Sequence, residues 1–261
     1  MYKDTRPSVK DTYKPVLPHR IMDVLPTQQN YLRLRYPSTR MPNYNSGRVV
    51  TLTVTSAVVC PWCYIATLEL RKAIARAYTD RLPLRFQIEY RPFECKTLLY
   101  DPTDWAKVES QGRATGVYST LSCRAQKLGA TLRGQSNGRL KSASASRLLL
   151  YAYQKGGQNA QQALLTELFR AHHEKDQDID DFELLADYCE QVGVMSREEA
   201  FMFLESNCLL DEVEQTADIA RSMGISVIPL TVIDNKWSLV GAQSSDVYYH
   251  IFSKLSQGKD L

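Results

Sequence analysis

Long apolar runs are missing from these 261 residues. None approaches the roughly 18 to 20 residues that a membrane-crossing helix needs, so no membrane partner is expected. Met1-Tyr2-Lys3-Asp4 does not open the uninterrupted apolar segment of a secretory signal, and export is not expected either. Charge of one sign is not in excess: Lys and Arg number 32 against 29 Asp and Glu, leaving +3. Mixed signs at that level give no reason to expect nucleic acid. Cysteine is scarce and scattered, six residues at irregular intervals, which excludes a disulfide-stapled secreted scaffold. The four histidines are His19, His172, His173 and His250, and two adjacent on a helix point about 100° apart, a poor arrangement for sharing a metal. With 44% hydrophobic residues, what remains can bury the core of one sizeable domain, or of a domain with a large insertion, and the cytoplasm is its expected compartment.

Residues 1–48 stand apart in composition. They are rich in Pro, Tyr and Arg, carry nine Lys/Arg against three Asp, and hold neither a helical nor a strand period. Ordering them costs backbone entropy that their few aliphatics hardly offset, which predicts a basic, flexible N-terminal arm. A mitochondrial targeting extension and a docking arm are the alternatives.

Beyond the arm the periods become regular. Val50, Leu52 and Val54 alternate with threonines over Val49 to Thr55, predicting a strand. From Pro61 a helix follows, with Ile65, Leu68, Ala75 and Tyr78 at helical spacing. Leu84 to Arg91 alternates strictly, Leu84, Phe86, Ile88 and Tyr90 lying on one face. Strand, helix and strand in that order predict a parallel βαβ unit. Helices alone are expected next: Ser119 to Leu128 closing at Gly129, Ser142 to Lys155 closing at Gly156-Gly157, then Ala160 to His173. Asp180 or Asp181 caps another that stops at Gly193, Ser196 with Glu199 forms a capping box, and Leu209 to Met223 stops at Gly224. A hairpin of Leu230 to Ile233 and Trp237 to Val240 turns at Asp234-Asn235. Ser244 caps a last helix with Val247, Tyr248, Ile251, Phe252 and Leu255 on one stripe. The predicted fold is α/β: a thioredoxin-like βαβ…ββα domain over 49–102 and 224–257, with an all-helical subdomain at 103–223 inserted between its halves.

Where the first strand yields to the first helix stands Val58-Val59-Cys60-Pro61-Trp62-Cys63-Tyr64. A sulfur at a helix N-terminus sits among unpartnered N–H groups, whose partial positive charge favours thiolate over thiol. Cys60 is thus the expected nucleophile, and Cys63, one turn on, the expected resolving thiol. Pro61 fixes φ in the first turn and lacks an N–H that would be orphaned there, while Trp62 roofs the pair. Half a zinc site and an inert structural pair are the competing readings, but zinc would want a second close-spaced pair, which the sequence lacks. Cys95, Cys123, Cys189 and Cys208 read as buried small hydrophobes, with Cys95, in a loop, the one candidate for an extra working thiol. Asp176, Asp178, Asp180 and Asp181 open like a calcium loop, but the glycine at its sixth position is missing and its twelfth is Asp187, so they read as a helix entrance.

The cysteine segment, Arg91-Pro92-Phe93-Glu94, Ser146-Arg147-Leu148-Leu149, Leu168-Phe169 with Asp178-Ile179, Gly224-Ile225 ahead of Pro229, and Gly241-Ala242-Gln243 together resemble the DsbA-like thioredoxin family of FrnE type. Its relatives include 2-hydroxychromene-2-carboxylate isomerases and kappa-class glutathione transferases. The resemblance covers roughly residues 49 to 255 and implies disulfide oxidoreductase activity. It implies too that Pro229 is a cis-proline opposite the cysteines, turning the Ile228 backbone toward a bound peptide or thiol. Ala66 stands where the family usually has Gly, a small and harmless change inside a helix, whereas Lys141 to Ser146 replaces an Asn-Thr and a His that border the cleft in relatives, which weakens the carry-over of a relative's small-molecule substrate more than that of the dithiol chemistry.

The expected protein is therefore a thiol:disulfide oxidoreductase with catalytic Cys60 and Cys63 and a substrate surface of Pro61, Trp62, Ile228 and Pro229. No metal and no tightly bound cofactor are expected, glutathione is the candidate co-substrate, and the partner is a thiol or disulfide, with a homodimer left open. A glutathione-dependent isomerase or transferase and a non-catalytic adaptor are the alternatives.

Overall fold

The computed structural model describes residues 47–93, 117–133 and 141–259. The arm up to residue 46, the loop holding Cys95 and the proposed boundary at 102 lie outside the described residues. β1 (Arg48–Ser56) and β2 (Leu84–Pro92) pair in parallel across α1 (Pro61–Thr79), Arg48 opposite Leu84 and Ser56 opposite Pro92. Arg48, placed in the arm by composition, is thus the first strand residue. The alternating residues Val50, Leu52, Val54, Leu84, Phe86, Ile88 and Tyr90 are all buried.

α1 departs from the expected stripe. Ala75 and Tyr78 are exposed, and the later buried face is Leu70, Ala73 and Ala77. Its first turns are enclosed nearly all round, so a one-sided pattern cannot be read there, and the alanines let α1 pack closely on α7 (Ser245–Ser256).

β3 (Leu230–Ile233) and β4 (Trp237–Val240) complete a sheet of order β2-β1-β3-β4, with β3 antiparallel to both neighbours. Their three-residue connection places Asp234 and Asn235 in the left-handed region at φ 50° and 53°, the central pair of a turn that the Lys236 N–H closes onto the Ile233 carbonyl at 3.0 Å. Asp234 ties the turn to the sheet by accepting the Thr51 N–H at 2.8 Å.

Five further helices are described: α2 (Val117–Lys127), α3 (Ala143–His173), α4 (Phe182–Gln191), α5 (Arg197–Glu205) and α6 (Leu210–Ser222). Asp181 caps α4 through the N–H groups of Glu183 and Leu184, and the Ser196–Glu199 capping box opens α5. The two helices read separately on either side of Gly156-Gly157 follow one another with no loop between them: only Gly157, at φ 64° and ψ −156°, leaves helical geometry. Beyond this kink, Gln158 and Gln161 meet the free edge of β2. Gln161 accepts the Tyr90 N–H at 2.8 Å and donates to the Tyr90 carbonyl at 2.9 Å, while Gln158 accepts the Ile88 N–H at 2.7 Å. On the preceding half of α3, the buried Arg147 donates to the carbonyls of Phe203, Ser206 and Cys208 and so holds the end of α5. Among the described residues no helix is long and apolar enough to cross a membrane.

Candidate active site

Cys60 is the N-cap of α1, in extended conformation at φ −92° and ψ 113°, with Pro61 at the first helical position. Its carbonyl accepts the N–H of Cys63 at 3.0 Å and of Tyr64 at 3.2 Å, and its own N–H closes a turn onto the Ala57 carbonyl at 3.1 Å. Both thiols are free and buried, Cys60 at 7% exposure and Cys63 at 1%. Their acidities diverge. The Cys63 thiol lowers the Cys60 pKa most; burial opposes it, and the backbone N–H groups of Cys63 and Trp62 reinforce it. Cys63 is held well above the ordinary cysteine range, first by burial, then by its hydrogen bond to Cys60 and that neighbour's charge.

Two clamps hold this turn. Behind it, His173 Nε2–H donates to the Val58 carbonyl at 2.8 Å, an acceptor that fixes the proton on that nitrogen. The Tyr64 ring stacks on Phe169 and on His173, centroids 5.0 and 5.6 Å apart, and its hydroxyl donates to Glu174. Across the helix, the Arg124 guanidinium lies 5.7 Å from the centre of the half-buried Trp62 ring. It donates to Glu69 at 3.0 Å and to the Ala242 carbonyl at 2.9 Å, and Glu69 in turn accepts the Ser245 N–H at 2.8 Å. One ion pair thereby joins α1, α2 and the turn before α7.

The Ile228–Pro229 peptide bond is cis. Leu230 pairs with Thr55, so the register sets Pro229 beside the last residue of β1, at the sheet end from which the cysteine turn departs. Pro229 is buried and its carbonyl accepts the Gly241 N–H at 2.8 Å, while Ile228 is half-buried. Cys60, Pro61, Trp62, Cys63, Ile228 and Pro229 therefore gather at one end of the sheet.

The remaining cysteines divide. Cys189 is buried, its thiol pushed up to about 12 by burial, but Cys123 and Cys208 are exposed, against expectation. The Cys123 side chain points away from the face on which Leu121 and Ala125 pack, and Cys208 lies in the turn between α5 and α6, where no apolar neighbour pattern bears on it. His173, Glu69 and Arg124 were not singled out from the sequence. Their partners lie 55 to 118 positions away, and no local spacing signals such pairs. Among the described residues no group of three or more His, Cys, Asp or Glu side chains is placed to hold a metal ion.

A family model described as DSBA-like thioredoxin domain matches residues 51–252. No curated protein matches the sequence significantly. Among solved structures, one described as a "probable DsbA oxidoreductase" from Streptomyces coelicolor superposes with a TM-score of 0.65 at 22% identity, covering 81% of this chain and 92% of the other. A 2-hydroxychromene-2-carboxylate isomerase gives 0.55 at 18% identity, covering 79% and 95%. The cytosolic disulfide reductase DsbM from Pseudomonas aeruginosa, in a structure with GSH, gives 0.53 at 18% identity, covering 79% and 99%. At these identities the likeness is one of fold.

Proposed function

Because this chain belongs to the DSBA-like thioredoxin domain family, we propose that it is a thiol:disulfide oxidoreductase with Cys60 as nucleophile and Cys63 as resolving thiol. The observation that carries the reading is the placement of two free thiols one helical turn apart at the N-terminus of α1, at the sheet end that also holds the cis Ile228–Pro229 bond, with Cys60 lowered and Cys63 raised in pKa in support. The Cys60 thiolate attacks a substrate disulfide, forming a mixed disulfide and releasing one substrate sulfur as thiolate. Cys63 then gives up its proton and attacks the Cys60 sulfur, which frees the second substrate sulfur. Two electrons pass from the dithiol to the substrate, and the protons end on its two thiols. The reverse sequence oxidises a substrate dithiol.

Pro61, Trp62, Ile228 and Pro229 form the surface offered to the substrate, a protein disulfide or glutathione disulfide. Glutathione fits as co-substrate rather than resident cofactor, in keeping with the GSH in the DsbM structure. The cytoplasm, where dithiols stay reduced, suits the reductive direction. A glutathione-dependent isomerase is the second reading, favoured by the fold likeness to the chromene-carboxylate enzyme.

Alkylation with mass readout across glutathione redox buffers tests the proposal. The native protein should lose two alkylatable thiols together at one potential. Cys63→Ser should instead accumulate a glutathione adduct on Cys60 and lose disulfide reduction. A Cys63→Ser protein with undiminished turnover would establish the single-thiol reading.

A further inference from the structure

Among the described residues, three buried side-chain nitrogen or oxygen atoms have no hydrogen-bond partner: Ser56 Oγ, Tyr90 Oη and Arg221 Nη1. A buried hydroxyl without a partner is costly and rare enough to require a cause. Two of the three lie around Cys63. Ser56 is the last residue of β1, buried, and its hydroxyl is among the groups that favour the Cys63 thiolate. Tyr90, on the neighbouring strand, is buried with its hydroxyl beside Thr67, whose own hydroxyl donates to the Cys63 carbonyl at 3.0 Å.

The Cys63 sulfur is enclosed on the sheet side. Besides Cys60, the groups acting on it are the backbone N–H of Ala57 and the hydroxyl of Ser56, both donors and neither charged. As long as Cys60 is a thiolate, it takes the hydrogen bond of the Cys63 thiol, and the neutral Cys63 sulfur is too weak an acceptor to hold the Ser56 hydroxyl, which is left without a partner. That changes once Cys60 is bonded to substrate. Its negative charge is gone, and Cys63 must itself become the anion inside an apolar wall. Preorganised donors at the place where charge develops are what such a step needs.

We propose that Ser56 O–H and Ala57 N–H form a donor pair for the Cys63 thiolate in the resolving step, Ser56 being unpartnered in the resting dithiol because its acceptor exists only in the mixed disulfide. This rests on the function proposed above. In that step the Cys63 sulfur forms a bond to the Cys60 sulfur, and the bond from Cys60 to the substrate sulfur breaks. The substrate sulfur leaves with the electron pair, and the Cys63 proton ends on it by way of solvent. Cys63 is oxidised and the substrate sulfur reduced, with no further reactant.

The test mixes reduced protein with oxidised glutathione and follows the Cys60 adduct by acid quench and intact mass, from neutral to alkaline pH. Ser56→Ala should leave adduct formation unchanged, slow adduct decay about 10- to 100-fold at neutral pH, and move the pH dependence of decay upward. Threonine and valine fill the site alike and differ in the hydroxyl, so Ser56→Thr should decay near the native rate and Ser56→Val should follow the alanine variant. Equal decay and equal pH profiles for the threonine and valine variants would overturn the proposal, even if the alanine variant fails to fold. A native protein that forms no glutathione adduct would instead overturn the oxidoreductase reading, and this proposal with it.

Discussion

His173 lies 115 residues beyond Val58 in sequence, yet it donates to the carbonyl two positions before Cys60. Burial is the main cause holding it well below the ordinary histidine range; the facing His172 adds to this and the bond to Val58 opposes it. Folded, the ring stays neutral while the unfolded chain takes up a proton near pH 6.5. The unfolded state therefore binds more protons from about pH 6.5 down to the depressed folded value, and stability falls as pH drops through that window, by up to about 1.4 kcal/mol per pH unit. Thermal unfolding measured from neutral pH down to about pH 5 should show this slope in the native protein and lose it in His173→Gln, which retains an N–H donor. Parallel slopes would clear His173 of the effect. At this scale the cysteine pair was legible because two sulfurs three positions apart with a proline between them are a local pattern, whereas His173 and Ser56 acquire their roles only through contacts made by the fold.

Among the described residues β2 is an edge strand, and an uncovered edge offers N–H and C=O groups to any passing strand. α3 seals it with carboxamides in place of another strand. Gln161 is wholly buried and donates also to the Leu149 carbonyl at 3.2 Å, joining the two halves of the kinked helix across Gly157. Gln161→Leu would strand the Tyr90 N–H and carbonyl without water and should cost about 2 to 4 kcal/mol. Gln158→Leu, half-buried and open to solvent, should cost less than about 1.5 kcal/mol. Urea denaturation of both variants checks the ordering, and a small cost at Gln161 would show that the edge needs no carboxamide. Elements were legible wherever their signal is local: the alternation in β1 and β2, the Ser196–Glu199 box, the Asp181 cap. The tract Gln158-Asn159-Ala160-Gln161-Gln162 reads as the polar side of a helix, and nothing in it announces that this side meets a strand edge. The stripe in α1 was misplaced for a related reason, since an element enclosed on several sides has no single apolar face to find.

For the molecule as a whole, the order βαβ then helices then ββα is carried by the chain itself and was legible, while the way the helices dock was not. Arg71 donating to Thr166 at 2.7 Å, Gln161 on β2 and His173 on the cysteine turn make the helical segment one body with the sheet. Chemistry at the helix N-terminus therefore feeds into global stability. Only the reduced protein carries the two thiols. Cys60 is acidified in the folded state by the Cys63 thiol and the first-turn N–H groups, against burial, whereas in the unfolded chain it titrates near the ordinary value of about 8.5. Between those two values the folded state binds fewer protons, so the reduced form gains stability as pH rises, by up to about 1.4 kcal/mol per pH unit, and loses it as pH falls through the depressed folded value. Above about pH 8.5 the sign reverses, because Cys63, held up by burial, keeps its proton while the unfolded chain releases one. The oxidised form has neither term. Reduced-minus-oxidised stability, measured by urea denaturation of both forms across pH, should therefore climb, crest near the ordinary cysteine range and decline. A reduced form stabilised in this way also makes the disulfide the stronger oxidant. If the difference stayed flat with pH, Cys60 would be no more acidic than a free thiol, and the helix N-terminus would hold the pair in place without activating it.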